Sequence, residues 1–265
     1  MSRMLKLREK NEQIDLERNL YALGFSVVQA NWLPALLATL LLLASYVGSG
    51  YVDAHLPFVV IRSLLIMIIG FSIYRVLLSH GRIAGLRALA TDEGRIGWRY
   101  VGVMLIILSP ILFLGIVWTA PGTGVGPSSL AEIGLGLLMV IAYGAGYILL
   151  GTALPEVVER GDVSLTDAIA RGRQNYRAIG RALVFGPWLF RAGSMLFMIV
   201  LAESGVTTDL FGRDGGFRPL ALGPMLFFSG CYVFAEVLTA IVLVRAYRRF
   251  PVSVPEGSAA APPVS

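Results

Sequence analysis

An all-α, polytopic transmembrane helical bundle of about six spans, with amphipathic cytoplasmic interfacial helices, is the fold this sequence predicts. Three observations predict it. Of 265 residues, 56% are apolar and only 15% are charged, against about 45–50% and about 25% in a soluble domain. The apolar residues gather in runs close to the 20 or so that a membrane helix needs. The strong bases lie between those runs and alternate in density from one connection to the next.

The elements follow in order. Residues 1–30 are polar and of mixed charge. They lack the short apolar core and cleavage site of a secretory signal, so no cleaved leader is expected. Within them Leu16, Leu20, Leu23 and Val27 share one helical face, and Glu17 and Arg18 stand off it. That pattern predicts an amphipathic interfacial helix leading into the first span. The transmembrane domain covers 31–249, with spans at about 32–49, 57–79, 100–120, 130–153, 183–203 and 221–245. The first span is the shortest, and its apolar run continues backward through Val27 and Val28. Trp32, Trp98 and Trp118 fall at span ends, where indole rings anchor among headgroups. Pro110, Pro187 and Pro224 interrupt or begin spans, which is common in membrane helices. The prolines of residues 250–265 predict a disordered tail.

Orientation follows from the short connections. Arg3, Lys6, Arg8, Lys10 and Arg18 precede the first span. Arg75, Arg82, Arg87, Arg95 and Arg99 fill the second loop, and Arg160, Arg171, Arg173, Arg177 and Arg181 the fourth. Arg245, Arg248 and Arg249 follow the last span. The opposite side holds only Arg213 and Arg218. Both termini are therefore expected in the cytoplasm of a bacterial inner-membrane protein.

The fourth loop carries the clearest pattern outside the spans. Ser164 and Asp167 resemble a capping box. Leu165, Ala168, Ile169, Gly172, Tyr176, Ile179 and Leu183 then fall on one face, while Arg173, Arg177 and Arg181 form a separate stripe of spacing four. Such a helix is expected to lie in the membrane surface, with guanidiniums among anionic lipid headgroups. The simpler reading of the arginines is that they hold the loop inside. In the second loop Ile83, Leu86 and Leu89 suggest a similar helix.

Ionisable residues inside spans are costly and stand as functional candidates. Arg191 and Glu236 lie on consecutive antiparallel spans, each roughly 12–14 Å from the same side at 1.5 Å per residue, and are expected to pair. Arg62 and Glu132 lie at similar depths near the outer side, with Asp53 and Glu203 as other partners for Arg62. Such pairs fix helix register or line a path for a proton, ion or substrate. Tyr143 and Tyr147, four apart on span four, are candidates for lining a central cavity. Gly134, Gly136, Gly144, Gly146 and Gly151 on the same span predict close helix approach, a dimer face or a hinge.

Several chemistries are missing. Lysine stops at Lys10, so no phosphate-binding loop of the GxxxxGK[ST] type exists, and HExxH, GxSxG and GxGxxG are absent. The glycines of Gly122–Pro127 lie in a turn outside the cytoplasm and predict a flexible hairpin. Glu156, Glu159 and Asp162 are near one another but have no basic or histidine partner at a catalytic spacing. Cys231 is the sole cysteine, and the histidines are only His55 and His80. No enzyme activity, cofactor, metal or nucleic-acid partner is expected.

Residues 18–43, RNLYALGFSVVQANWLPALLATLLLL, and 154–187, LPEVVERGDVSLTDAIARGRQNYRAIGRALVFGP, resemble the start and middle loop of a bacterial six-helix family. It is that of the YciC-like proteins and of the membrane domain attached to some glycerophosphodiester phosphodiesterases. Glu159, Ala168, Arg171 and Arg173 carry the match. The resemblance implies an inner-membrane helical bundle. It does not bring the phosphodiesterase activity, because that belongs to a soluble domain not found in this sequence. The expected function is non-enzymatic: an accessory or assembly factor contacting anionic lipid and partner membrane proteins, or a second copy of itself. The alternative is a small transporter or transporter subunit using Arg191 and Glu236.

Overall fold

The computed structural model describes residues 19–51, 55–78, 93–119, 129–207, 210–211 and 216–249. It is all-helical. Helix α1 (Leu20–Ala30) leads to α2 (Trp32–Tyr51), α3 (His55–Leu78), α4 (Glu93–Thr119) and α5 (Ser129–Leu150). Then come the short α6 (Ala153–Arg160), α7 (Leu165–Leu183), a π turn (Val184–Trp188), α8 (Leu189–Glu203), a 3-10 turn (Pro219–Ala221) and α9 (Leu222–Arg249). The expectations for residues 1–18, for the segment around Ile83, Leu86 and Leu89, for Gly122–Pro127 and for the tail lie outside the described residues.

Helix α9 is the centre of the bundle. It packs on α1, α2, α3, α6, α7 and α8, and every residue from Val233 to Val244 is buried. A helix that is apolar all round belongs in an interior, and this one is ringed by its neighbours. The outer helices keep apolar residues exposed instead, such as Leu37, Leu41, Ile68, Leu196 and Ile199.

Three stretches are long and apolar enough to cross a membrane: Val60–Leu78, Leu165–Glu203 and Pro219–Arg249. The number is five if each of two bent pairs is one span. The chain is thus an all-helical membrane protein with three to five candidate spans among the described residues, where its apolar runs predict six. Two of the five are bent pairs. Helices α1 and α2 meet at 91°, so Val27 and Val28 do not extend the first span. Asn31 explains the break: its backbone N–H donates to Val27 and Val28 carbonyls, and its amide donates again to Val27 at 2.8 Å. These bonds satisfy the last carbonyls of α1 and end it. Helices α5 and α6 are bent by 41° across Gly151 and Thr152.

The fourth loop departs from its sequence reading. Ser164 caps α7, its hydroxyl accepting from Asp167 N–H at 3.3 Å. Gly161 ends α6 at φ 71°, a left-handed conformation that favours glycine. However, the inward face of α7, with Ala168, Gly172, Ile179 and Leu183, is buried within the protein against α5 and α9. Tyr176, from the same expected face, stays exposed. The reason for the burial is a close approach at Gly172, where an added Cβ would sit 2.6 Å from the Ile148 and Leu149 carbonyl oxygens. Those atoms are backbone and cannot swing aside. Gly172→Val is therefore expected to destabilise the fold by about 3 kcal/mol, the upper range for overpacking. Thermal unfolding in detergent measures it, and a loss under about 1 kcal/mol would refute this packing.

Helix α7 runs into α8 through the π turn. Pro187 has no N–H and crowds the carbonyl of the preceding turn. A π turn, with one residue more per turn, absorbs that conflict without ending the helix.

Candidate functional site

Two buried arginine–carboxylate pairs stand out. The first joins α8 to α9. The π turn delivers Arg191 into the first turn of α8, facing Glu236 on α9. The Arg191 Nη2 donates to Glu236 Oε1. Its Nη1 donates to the Tyr143 hydroxyl at 3.1 Å. Its guanidinium carbon lies 4.7 Å from the centre of the Tyr232 ring. Arg191 Nε is buried without a hydrogen-bond partner among the described residues. The site is thus a neutralised pair wrapped by aromatic rings from α5 and α9.

Tyr143 and Tyr147 meet at 4.7 Å between ring centres, tilted by 51°. Tyr147 is buried in the core with its hydroxyl on the Met104 sulfur at 4.0 Å, and Tyr143 packs against that core. The spacing of four does place both on one face of α5. What meets that face is protein, because Gly144 and Gly146 admit Trp188 and Ile107 of the neighbouring helices.

Among the described residues Arg62 meets two side chains of α2. Its Nε donates to Ser45 Oγ at 3.4 Å, and its guanidinium lies 3.6 Å over the Tyr46 ring. Both are on α2, the antiparallel neighbour of α3. The backbone of Glu132 is in the first turn of α5, but its side chain, like Asp53, lies outside the described residues.

The second pair was not legible in the sequence. Glu156 of α6 and Arg171 of α7 are 4% and 3% exposed. Arg171 Nη2 donates to Glu156 Oε2, and its Nε donates to Thr152 Oγ1 at 3.3 Å. Arg160 approaches the other Glu156 oxygen at 3.8 Å. The Tyr247 ring of α9 lies 5.3 Å from the Arg171 guanidinium. Glu156, read from the sequence as lacking a basic partner at a catalytic spacing, thus has two arginines beside it, one of them buried. A signal was present: Arg171 interrupts the apolar face formed by Ala168, Gly172 and Ile179. Beside this pair, Arg99 of α4 donates to the Gly161 carbonyl and lies 3.4 Å from Asp162. That contact ties α4 to the α6–α7 turn.

The stripe Arg173, Arg177 and Arg181 is exposed on the side of α7 away from the core. Arg177 Nε donates to the Tyr176 hydroxyl at 2.8 Å. No carboxylate pairs with these three arginines among the described residues. Among the described residues, Arg171 is thus buried and Arg191 largely buried, each held by an acid, whereas Arg173, Arg177 and Arg181 are exposed and held by none. Among the described residues no group of three or more His, Cys, Asp or Glu side chains is arranged to hold a metal ion.

No family model matches the chain, and no curated protein or solved structure shows a significant match to it.

Proposed function

We propose that this is a non-enzymatic multi-pass protein of the bacterial inner membrane, an accessory or assembly factor that contacts anionic lipid and a partner membrane protein. The reading includes six spans, cytoplasmic termini and the YciC-like resemblance. One observation carries it: Arg173, Arg177 and Arg181 present a cationic stripe, paired with no carboxylate among the described residues, on a helix whose other face is already used for packing. Unpaired surface arginines beside a span suit phosphate and anionic headgroups.

The transporter reading is weaker. Its favouring observation is the unpartnered Arg191 Nε inside the bundle. Against it, Tyr143 and Tyr232 close around the pair and leave both charges engaged.

Gentle purification followed by mass spectrometry of bound proteins and lipids tests the proposal. The wild type is expected to retain anionic phospholipid and a stoichiometric protein partner. Substituting Arg173, Arg177 and Arg181 together by Gln is expected to remove the anionic lipid while the protein stays folded. At about 1 kcal/mol per arginine near a lipid surface, the loss is on the order of 100-fold. Equal lipid retention by the variant would sink the lipid part of the proposal, and a lone protein would sink the partner part.

A further inference from the structure

Between α8, α9 and the start of α1 lies an apolar groove of about 360 Å³. Leu189, Phe190, Gly193 and Phe197 of α8 form one wall, Phe227 of α9 forms another, and Tyr21 of α1 closes one end. We propose that this groove holds one acyl chain of an anionic phospholipid whose phosphate is bound by Arg177 and Arg181. The inference rests on the reading of the arginine stripe as lipid-binding, and it adds a defined site to that reading.

Helix geometry aligns the two parts. At 100° per residue in a continuous α-helix, Arg181 would stand about 80° and Arg177 about 120° from the line of Leu189. The π turn at Val184–Trp188 inserts one extra residue between them. With that residue counted, both arginines come within about 20° of Leu189. They therefore stand above the groove wall and not around the side of the helix. The separation along the axis from Arg181 to Leu189 is roughly 11 Å, comparable with the headgroup layer.

The same turn sets the level. Tyr21 donates its hydroxyl to the Phe185 carbonyl at 2.7 Å, and Leu20 fills the space over Gly186. Helix α1 is at 91° to α2, so if α2 crosses the bilayer, α1 lies along its surface. The mouth of the groove is then at the interface, with cations outside and phenyl rings inside. That polarity matches one phospholipid molecule: phosphate at the guanidiniums, chain among Leu189, Phe197 and Phe227.

The test uses the full chain in phosphatidylethanolamine vesicles. They contain a trace of phosphatidylglycerol bearing a diazirine on one acyl chain. A parallel set carries the same chain on phosphatidylcholine. Photo-cross-links are mapped by peptide mass spectrometry. Gly193→Trp fills the groove, and an added Cβ at Gly193 meets nothing within 4 Å; Gly193→Leu is the smaller companion, and thermal unfolding in detergent checks that each keeps the fold. Cross-links are expected at Phe190, Phe197 and Phe227 with phosphatidylglycerol, and are expected to fall to background in Gly193→Trp. Arg177→Gln with Arg181→Gln should weaken them roughly 30-fold, from about 1 kcal/mol per arginine at 1.4 kcal/mol per tenfold. Cross-links spread evenly over the outer helices, or unchanged by Gly193→Trp, would overturn the site. Equal labelling by phosphatidylcholine would overturn the assignment of the headgroup. Should the arginine stripe retain anionic lipid on purification while the groove stays unlabelled, the inference fails and the functional reading stands. Loss of both would remove the reading itself.

Discussion

Glu156→Leu is expected to cost about 3–5 kcal/mol of folding stability, the typical penalty for breaking a buried ion pair. The side chain left behind decides the magnitude. Arg171 would remain buried, with only the Thr152 hydroxyl and the face of Tyr247 near its charge. Neither neutralises a guanidinium. The converse substitution, Arg171→Leu, is expected to cost less, about 2–3 kcal/mol. Glu156 would keep Arg160 at 3.8 Å. It would also stay in the first turn of α6, where backbone N–H groups favour a carboxylate. The double variant, Glu156→Leu with Arg171→Leu, should recover much of the loss, because two charges leave together. Thermal unfolding in detergent and abundance in the membrane measure all three. Additive losses, or a milder Glu156→Leu than Arg171→Leu, would show that the pair does not hold α6 to α7.

That pair also marks where sequence reading reached its end. The helical membrane class follows from run length and from sparse charge, because lipid forbids unpaired backbone. The juxtaposition of Arg191 and Glu236 was accessible for the same reason. Consecutive spans are antiparallel and cross the same thickness, so position converts to depth. Glu156 and Arg171 offer no such ruler. They are 15 residues apart across a tight turn, and neither sits in an apolar run. Their meeting depends on the bend at Gly151 and on the close approach at Gly172.

A related limit applies to faces. Periodicity showed that α7 and α5 each have an apolar side, but not what covers it. For α7 much of the cover is α5 and α9, and the Tyr147 hydroxyl meets the Met104 sulfur. Glycine contacts decide such cover, and they depend on two helices at once. The 91° break at Asn31 was hidden because its cause is a side-chain amide turned back onto Val27. Val27 and Val28 continue the apolar run across it without interruption.

Glu236→Leu is expected to destabilise the bundle by about 3–5 kcal/mol, and Arg191→Leu by a similar amount. Glu236 is buried on α9 between Ala235 and Val237, with Thr239 one turn away. In Glu236→Leu the guanidinium keeps only Tyr143 and the Tyr232 ring, and in Arg191→Leu the carboxylate loses its cation. Neither remainder can reach water at little cost, and an intramembrane charge costs about 2.5–3.5 kcal/mol even by insertion scales. The double variant, Arg191→Leu with Glu236→Leu, removes both charges and is expected to lie within about 1 kcal/mol of wild type. Its value is that stability and function then separate. If the pair only fixes the register of α8 against α9, the stable double variant should keep the same co-purifying partner and lipid. If the pair carries an ion or a substrate, the double variant should be folded yet silent in a liposome flux assay in which the wild type is active. Glu236→Gln is the finer probe, because it keeps shape and hydrogen bonding while removing charge. Wild-type flux abolished by Glu236→Gln would move the function from scaffold to transport. Absence of flux in both, with the double variant still holding its partner, would leave the pair a structural clamp between the last two helices.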